Sequence, residues 1–160
     1  MRAERIKYPM GAVTAEGALI YDENVSGKRP AVLVAPNWLG MTDKAVQRGE
    51  FVAGNRYVVF VADMYGAGTR PADFGEAAAL ANPLRADAVE QRRRVKAAFA
   101  TMIAQAKMRN LIDDRRTAVT RINVARCSLR DAVTRSAVAF LGVSRCHATS
   151  EISLGVSDRG

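Results

Sequence analysis

Two apolar segments, residues 30–36 and 56–62, constrain the fold of this chain more than any other feature of its sequence. Each is a short, continuous hydrophobic run containing several valines, which is typical of a strand buried on both faces of a parallel sheet. Between the two segments, Thr42 or Asp43 can begin a helix as its N-cap, and Gly54 can end it. A strand, a helix and a second strand in this order predict a right-handed βαβ unit, and hence an α/β fold.

The segments on either side extend this pattern. Residues 4–8 and 11–21 are predicted to form two short strands, and one long helix is predicted from about residue 83 to residue 106. Residues 113–116 predict a turn, after which Thr117 begins another strand. The predicted core face of the long helix consists of Val95, Phe99, Met102 and Ala106.

The composition argues against several classes of protein. No apolar run reaches the roughly 18 residues that suggest a membrane-spanning helix, and the N-terminal residues do not resemble a signal peptide. We therefore expect a cytoplasmic protein with no membrane partner.

One histidine, and two cysteines without CxxC spacing, predict neither a metal site nor a disulfide framework. The net charge is +8, but the arginines lack interleaved aromatic residues, and no helix-turn-helix or zinc pattern is present. We expect no specific nucleic-acid partner.

Five segments, taken in order and with their spacing, resemble the N-terminal portion of the dienelactone hydrolases, a family of α/β-hydrolases. These segments are residues 28–34, 38–40, 57–66, 95–99 and 114–119. In the third segment an apolar strand ends in Asp63 and leads into Tyr65 and Gly66, which is the most distinctive single piece. The resemblance implies a truncated α/β-hydrolase fold, with a doubly wound, mostly parallel sheet over residues 1–119.

The same resemblance implies an activity and a site. The family hydrolyses ester or lactone bonds of small molecules with a Cys-His-Asp triad and uses no metal or organic cofactor. The backbone N–H of Trp38 corresponds to one oxyanion-hole donor, and Asn37 and Tyr65 lie in the implied active-site loops. Asn37 stands where the family usually carries a glutamate. An amide cannot act as an acid or base there, although it can still form hydrogen bonds.

The catalytic residues themselves do not match. The family's nucleophile lies in a Gly-x-Cys-x-Gly-Gly turn, and the resemblance places Asn123 at the cysteine. Glycines are needed in such a turn because its backbone is strained and closely packed, yet residues 76–141 contain none. Cys127 and His147 are poor substitutes for the nucleophile and the base. We therefore assign no catalytic residue and expect a weak or inactive hydrolase.

The residues after position 119 differ in composition from those before. Lysine is absent after Lys107, where all nine basic residues are arginine. We hypothesise that residues 120–160 are the product of a reading-frame shift and form an irregular or disordered tail. Two alternatives to a hydrolase remain: a non-catalytic basic binding module, and self-association through the sheet edge that a fifth and last strand leaves exposed.

Overall fold

A computed structural model describes residues 1–121, which form five strands and three helices. In chain order they are β1 (Arg2–Met10), β2 (Val13–Tyr21), β3 (Arg29–Ala35), α1 (Asp43–Ala53), β4 (Val58–Val61), α2 (Phe74–Ala86), α3 (Ala88–Met108) and β5 (Ile112–Arg121). All five strands belong to one sheet, whose spatial order is β1-β2-β4-β3-β5.

The two apolar segments that predicted the fold form the centre of this sheet. β3 pairs with β4 and with β5, in parallel on both sides, so that Leu33 lies opposite Phe60 on one side and Val119 on the other. β1 and β2 form an antiparallel hairpin, and β2 continues the sheet antiparallel to β4. The predicted βαβ unit is confirmed, with parallel pairing confined to β4, β3 and β5.

Helices cover both faces of the sheet and define two hydrophobic cores. Side chains alternate between the faces along each strand, so Leu33 and Phe60 join the core beneath α3 while Val34 and Val61 join the core beneath α1. All four side chains are buried almost completely. The α/β class and the doubly wound arrangement are therefore confirmed.

Helix α1 approaches the sheet closely because of Gly49. A Cβ atom at this position would lie 2.6 Å from both Ile20 Cδ1 and Val61 Cγ2, a distance that real Cβ contacts do not show. Thr42 caps the helix as predicted, because its hydroxyl accepts a hydrogen bond from the N–H of Ala45. The end of β3, the loop after it and the start of α1 are thereby fixed relative to the sheet.

The single long helix predicted over residues 83–106 is wrong at its beginning. The structure has two helices, because the Asp87 carboxylate accepts hydrogen bonds from the N–H groups of Val89 and Glu90 and starts α3 as a new helix. Pro83 lies within the last turns of α2, a helix that the sequence analysis did not predict. The predicted core face of α3 is confirmed for Val95, Met102 and Ala106, which are buried, and for Phe99, which is partly buried against the same core.

The turn predicted over residues 113–116 is also corrected. These residues lie within β5, at the place where its register against β3 shifts: Arg29 is opposite Ile112, but Ala31 is opposite Thr117. The strand is irregular at this place, and the regular ladder begins at Thr117 as predicted. The predicted irregular tail lies outside the described residues. Among residues 1–121, no helix combines the length and hydrophobicity that a bilayer crossing requires.

Candidate functional site

Two loops lie side by side at the carboxyl ends of the parallel strands β3 and β4. Residues 36–42 connect β3 to α1, and residues 62–73 connect β4 to α2. In open parallel sheets this edge is where ligand sites form. The structure places all three predicted site residues of the described region here, with Asn37 and Trp38 in the first loop and Tyr65 in the second.

A hydrogen bond joins the two loops directly. The Tyr65 hydroxyl donates to the carbonyl oxygen of Trp38 at 2.8 Å. The Tyr65 ring also packs on Gly40, where a Cβ would lie 2.9 Å from the ring and where φ is +72°. Burial raises the pKa of the Tyr65 phenol, although nearby Arg85 acts in the opposite direction. The hydroxyl therefore remains protonated, and able to donate, at neutral pH.

Asn37 organises the first loop from within. Its side-chain oxygen accepts a hydrogen bond of 3.0 Å from the N–H of Leu39, and its carbonyl oxygen accepts one of 3.0 Å from the N–H of Gly40. This is the turn that asparagine side chains commonly stabilise. The structure thus gives Asn37 a positioning role in place of the acid–base role that a glutamate would have.

The N–H of Trp38 is left free by these contacts. Within residues 1–121, the hydrogen bonds of the loop use the N–H groups of Leu39, Gly40 and Thr42, and none uses that of Trp38. The peptide before Trp38 is fixed by Asn37, and the peptide after it is held by Tyr65. An N–H that has no partner within residues 1–121, in a loop held on both sides, is a candidate donor to a ligand.

Asp63 shapes the second loop and was not predicted to have this role. Its side chain is fully buried at the end of β4. One carboxylate oxygen accepts hydrogen bonds from the N–H groups of Tyr65 and Gly66, at 2.9 and 3.0 Å, and the other accepts one from the N–H of Glu16 at 3.0 Å. The position of Asp63 at the end of an apolar strand was the only sequence signal for it.

The backbone of Asp63 is held from the first strand. The Tyr8 hydroxyl donates to the Asp63 carbonyl oxygen at 3.0 Å and accepts from the Asp63 N–H at 3.1 Å. Burial raises the pKa of the Tyr8 phenol, so it keeps its proton. The Arg94 guanidinium on α3 donates to the carbonyl oxygen of Met64 at 2.6 Å. The loop that carries Tyr65 is therefore anchored by β1, β2 and α3.

The side chain of Trp38 belongs to an aromatic pair. The indole of Trp38 and the ring of Phe74 stack with their centroids 5.5 Å apart and their planes 4° from parallel. Phe74 is the first residue of α2 and is 68% exposed. Phe74 was not predicted as a site residue, because nothing local to residue 74 in the sequence indicates a contact with residue 38.

A separate concavity of about 570 Å³ lies along the outer side of α1. Its lining residues are Pro36, Asn37, Lys44, Ala45, Gln47, Arg48 and Phe51. Asn37 borders this concavity and also belongs to the loop that connects β3 to α1. Among residues 1–121, no group of histidine, cysteine and acidic side chains is arranged to hold a metal ion.

The predicted catalytic positions fall elsewhere in the chain. Asn123, Cys127 and His147 all lie outside the described residues. The structure thus describes the loops at the carboxyl ends of β3 and β4 without these three positions.

The strand order β1-β2-β4-β3-β5, with helices on both faces and these two loops at the ends of parallel strands, is that of an α/β-hydrolase fold. The chain belongs to the dienelactone hydrolase family, whose sequence profile matches residues 16–125. A search of curated proteins finds no match.

Solved structures agree with this assignment. The protein m3DLH is 30% identical with a TM-score of 0.68, and the alignment covers 76% of this chain and 49% of that one. A dienelactone hydrolase-like promiscuous phosphotriesterase from metagenomic libraries is 28% identical with a TM-score of 0.68, covering 76% and 48%. An acylaminoacyl peptidase from Pyrococcus horikoshii shares the fold alone, at 12% identity and a TM-score of 0.53, with 76% and 19% covered. The chain spans about half the length of the first two structures.

Proposed function

We propose that this chain carries the oxyanion-binding side of a hydrolase site for small-molecule esters or lactones, and that alone it hydrolyses them weakly or not at all. The observation that carries the proposal is the free N–H of Trp38 in a loop fixed by Asn37 and Tyr65. When a nucleophile attacks an ester, the carbonyl oxygen becomes an anion. A fixed N–H donor stabilises that anion, and removing one such donor typically costs a few kcal/mol of transition-state stabilisation.

The expected weakness concerns the nucleophile. The family resemblance assigns that role to a cysteine, and this chain has Asn123 at the corresponding position. A side-chain amide lacks the nucleophilicity of a thiolate. Cys127 is a different position along the chain, and we propose that it does not replace the missing nucleophile. The proposed reaction uses water as the acyl acceptor and needs no cofactor.

The test is hydrolysis of p-nitrophenyl acetate by the full chain and by two variants, Cys127→Ala and Asn123→Cys. We expect the unaltered chain to be close to the uncatalysed rate and the Cys127→Ala chain to be indistinguishable from it. Asn123→Cys introduces a thiol at the position that the family resemblance assigns to the nucleophile. This variant shows whether a thiol there raises the rate of ester hydrolysis. Substantial turnover that disappears in Cys127→Ala would identify Cys127 as a nucleophile and contradict the proposal.

A phosphotriester belongs in the same assay. One of the similar solved structures is described as a promiscuous phosphotriesterase, and a fixed N–H donor is suited to a phosphoryl oxygen as well as to a carbonyl oxygen. Diethyl p-nitrophenyl phosphate releases the same chromophore as the ester, so the two rates are directly comparable. We expect the same near-background rate.

Self-association is the second candidate function. In the described part of the chain β5 pairs with β3 only, and its other edge has no strand beside it. A free edge presents unpaired N–H and C=O groups that a strand from a second copy can satisfy. Sedimentation velocity over a range of concentrations tests this. A dimer that dissociates on dilution supports assembly, whereas a monomer at every concentration rules it out.

The remaining alternative is a basic binding module. We propose that the chain has no specific nucleic-acid partner, because its charge is not arranged in any known binding pattern. Fluorescence anisotropy with DNA oligomers of different sequence, at low and high salt, tests this. Tight binding to one sequence that persists at high salt would contradict it.

The frame-shift origin of residues 120–160 stays a prediction, which the encoding DNA tests: another reading frame should restore a Gly-x-Cys-x-Gly-Gly turn and a later histidine.

A further inference from the structure

Trp38 and Phe74 form an exposed aromatic surface beside the loop that carries the proposed oxyanion donor. Trp38 supplies both the free N–H and the indole on which Phe74 stacks. A carbonyl group bound at that N–H is therefore within a few ångströms of an aromatic surface. Phe74 is 68% exposed, so a large part of its ring remains available to a ligand.

The backbones that carry the two rings are held by independent contacts. The Asp73 carboxylate accepts a hydrogen bond of 2.8 Å from the N–H of Glu76, and the Glu76 carboxylate accepts one of 2.8 Å from the N–H of Ala72. These two contacts, which are similar to a capping box, fix the start of α2 and with it the backbone of Phe74. Tyr65 fixes the backbone of Trp38. A surface that is ordered before binding loses little conformational entropy when a ligand arrives.

The charges next to Phe74 in the sequence disfavour an anionic ligand. Asp73 precedes it and Glu76 follows it in the first turn of α2, and both carboxylates are exposed. A negatively charged group next to Phe74 would be repelled by these two acids. A neutral aromatic ring avoids this repulsion and gains an offset-stacked contact of the kind that Trp38 and Phe74 already make.

We propose that Phe74 and Trp38 form a specificity subsite that binds the neutral, planar aromatic group of an aryl ester while the Trp38 N–H binds its carbonyl oxygen. This inference rests on the proposed function, because it names the substrate class of that site. Phe74 is the specificity-determining residue, since its ring contacts the substrate. Small aliphatic esters lack the stacked contact and bind more weakly.

A binding experiment separates this inference from the question of turnover. Trp38 is the only tryptophan in the chain, so its fluorescence reports on a ligand bound beside it. The probe is acetanilide, an amide that keeps the aromatic ring and the carbonyl group but resists hydrolysis. Its aliphatic counterpart is N-ethylacetamide. We expect a saturable fluorescence change with acetanilide and at least fivefold weaker binding of N-ethylacetamide.

Variants of Phe74 test the subsite itself. Phe74→Ala should weaken acetanilide binding about fivefold, because the stacked ring is removed, whereas Phe74→Tyr should retain it. Phe51→Ala is the matched control: Phe51 is also exposed, at 76%, but it lies on α1 beside the separate concavity. Circular dichroism establishes that each variant keeps its helical content.

The outcomes distinguish the two proposals. Acetanilide binding that depends on Phe74, in a chain without esterase activity, supports the subsite even if the proposed function fails. Equal binding of both probes, or no effect of Phe74→Ala, overturns the subsite whether or not esters are hydrolysed. Weaker binding in Phe51→Ala alone would place the ligand in the α1 concavity and would also overturn it.

Discussion

The hydroxyl of Tyr65 donates a hydrogen bond of 2.8 Å to the carbonyl oxygen of Trp38, 27 residues earlier in the chain. This contact joins the loop after β4 to the loop after β3. Tyr65 holds the peptide that follows Trp38, and Asn37 holds the peptide that carries the Trp38 N–H, so the two loops together fix the backbone on both sides of this residue. Tyr65 is therefore a positioning residue for the proposed oxyanion donor.

Tyr65→Phe should destabilise the protein by about 1 kcal/mol, since one partly buried hydrogen bond is lost. The Trp38 emission should also change, because the loop that carries the indole is no longer held. Urea denaturation followed by fluorescence measures both effects. Tyr57→Phe is the control, since within residues 1–121 no hydrogen bond from the Tyr57 hydroxyl is observed. Equal stability of the Tyr65→Phe and unaltered chains would show that the contact is not significant.

Asp63→Asn should destabilise the fold by roughly 2–3 kcal/mol. The carboxylate accepts three backbone N–H groups and is fully buried, and an amide places an NH₂ group against at least one of these donors. Guanidinium denaturation measures the loss. Asp43→Asn, at a side chain that is 96% exposed, should change stability by much less. A similar effect at the two positions would be evidence against the role assigned to Asp63.

Gly49→Ala should also be destabilising, by roughly 1–3 kcal/mol, although alanine favours a helix more than glycine does. The added methyl group collides with Ile20 Cδ1 and Val61 Cγ2, so α1 must move away from the sheet. Ile20→Val removes the Cδ1 atom. In a double-mutant cycle, Gly49→Ala combined with Ile20→Val should lose less stability than the sum of the two single changes. Strict additivity would indicate that the steric contact is not the cause.

Because Glu90 is paired with two arginines, we expect the stability of the fold to depend on pH in the acid range. Hydrogen bonds from Arg93 and Arg94 lower the pKa of Glu90 to about 2. A carboxyl group with a depressed pKa in the folded state stabilises that state above its unfolded pKa, near 4.5, and loses this contribution as the pH falls toward 2.

Glu90→Gln removes this ionisable group and should reduce the acid dependence. The stability difference between the unaltered chain and the variant should be largest near neutral pH and should shrink as the pH falls from about 4.5 to about 2. Denaturation curves at a series of pH values measure it. A difference that is constant across this range would contradict the assigned pKa.

The elements that sequence analysis predicted correctly are those with local signals. The βαβ unit follows from two apolar runs and from caps at Thr42 and Gly54 that act within one helical turn. Helix α2 was not predicted, because its alanine-rich sequence has no clear apolar period and contains Pro83. The start of α3 was misplaced for a related reason: the break depends on the cap at Asp87, which a search for apolar periodicity does not detect.

The candidate site could be predicted only in part. The family resemblance located Asn37, Trp38 and Tyr65, but the contacts that give them roles involve residues that no local pattern identifies. Phe74 stacks on Trp38, and Tyr8 and Arg94 hold the loop that begins at Asp63.

The sequence by itself determined which segments become buried strands and where α1 begins and ends, because hydrophobic period and capping act between near neighbours. Only the tertiary structure decided which side chains meet at the ends of β3 and β4. The bond between Tyr8 and Asp63 spans 55 residues and that between Arg94 and Met64 spans 30. Such contacts form only after the sheet has brought distant strands together, so their geometry depends on packing of the whole domain.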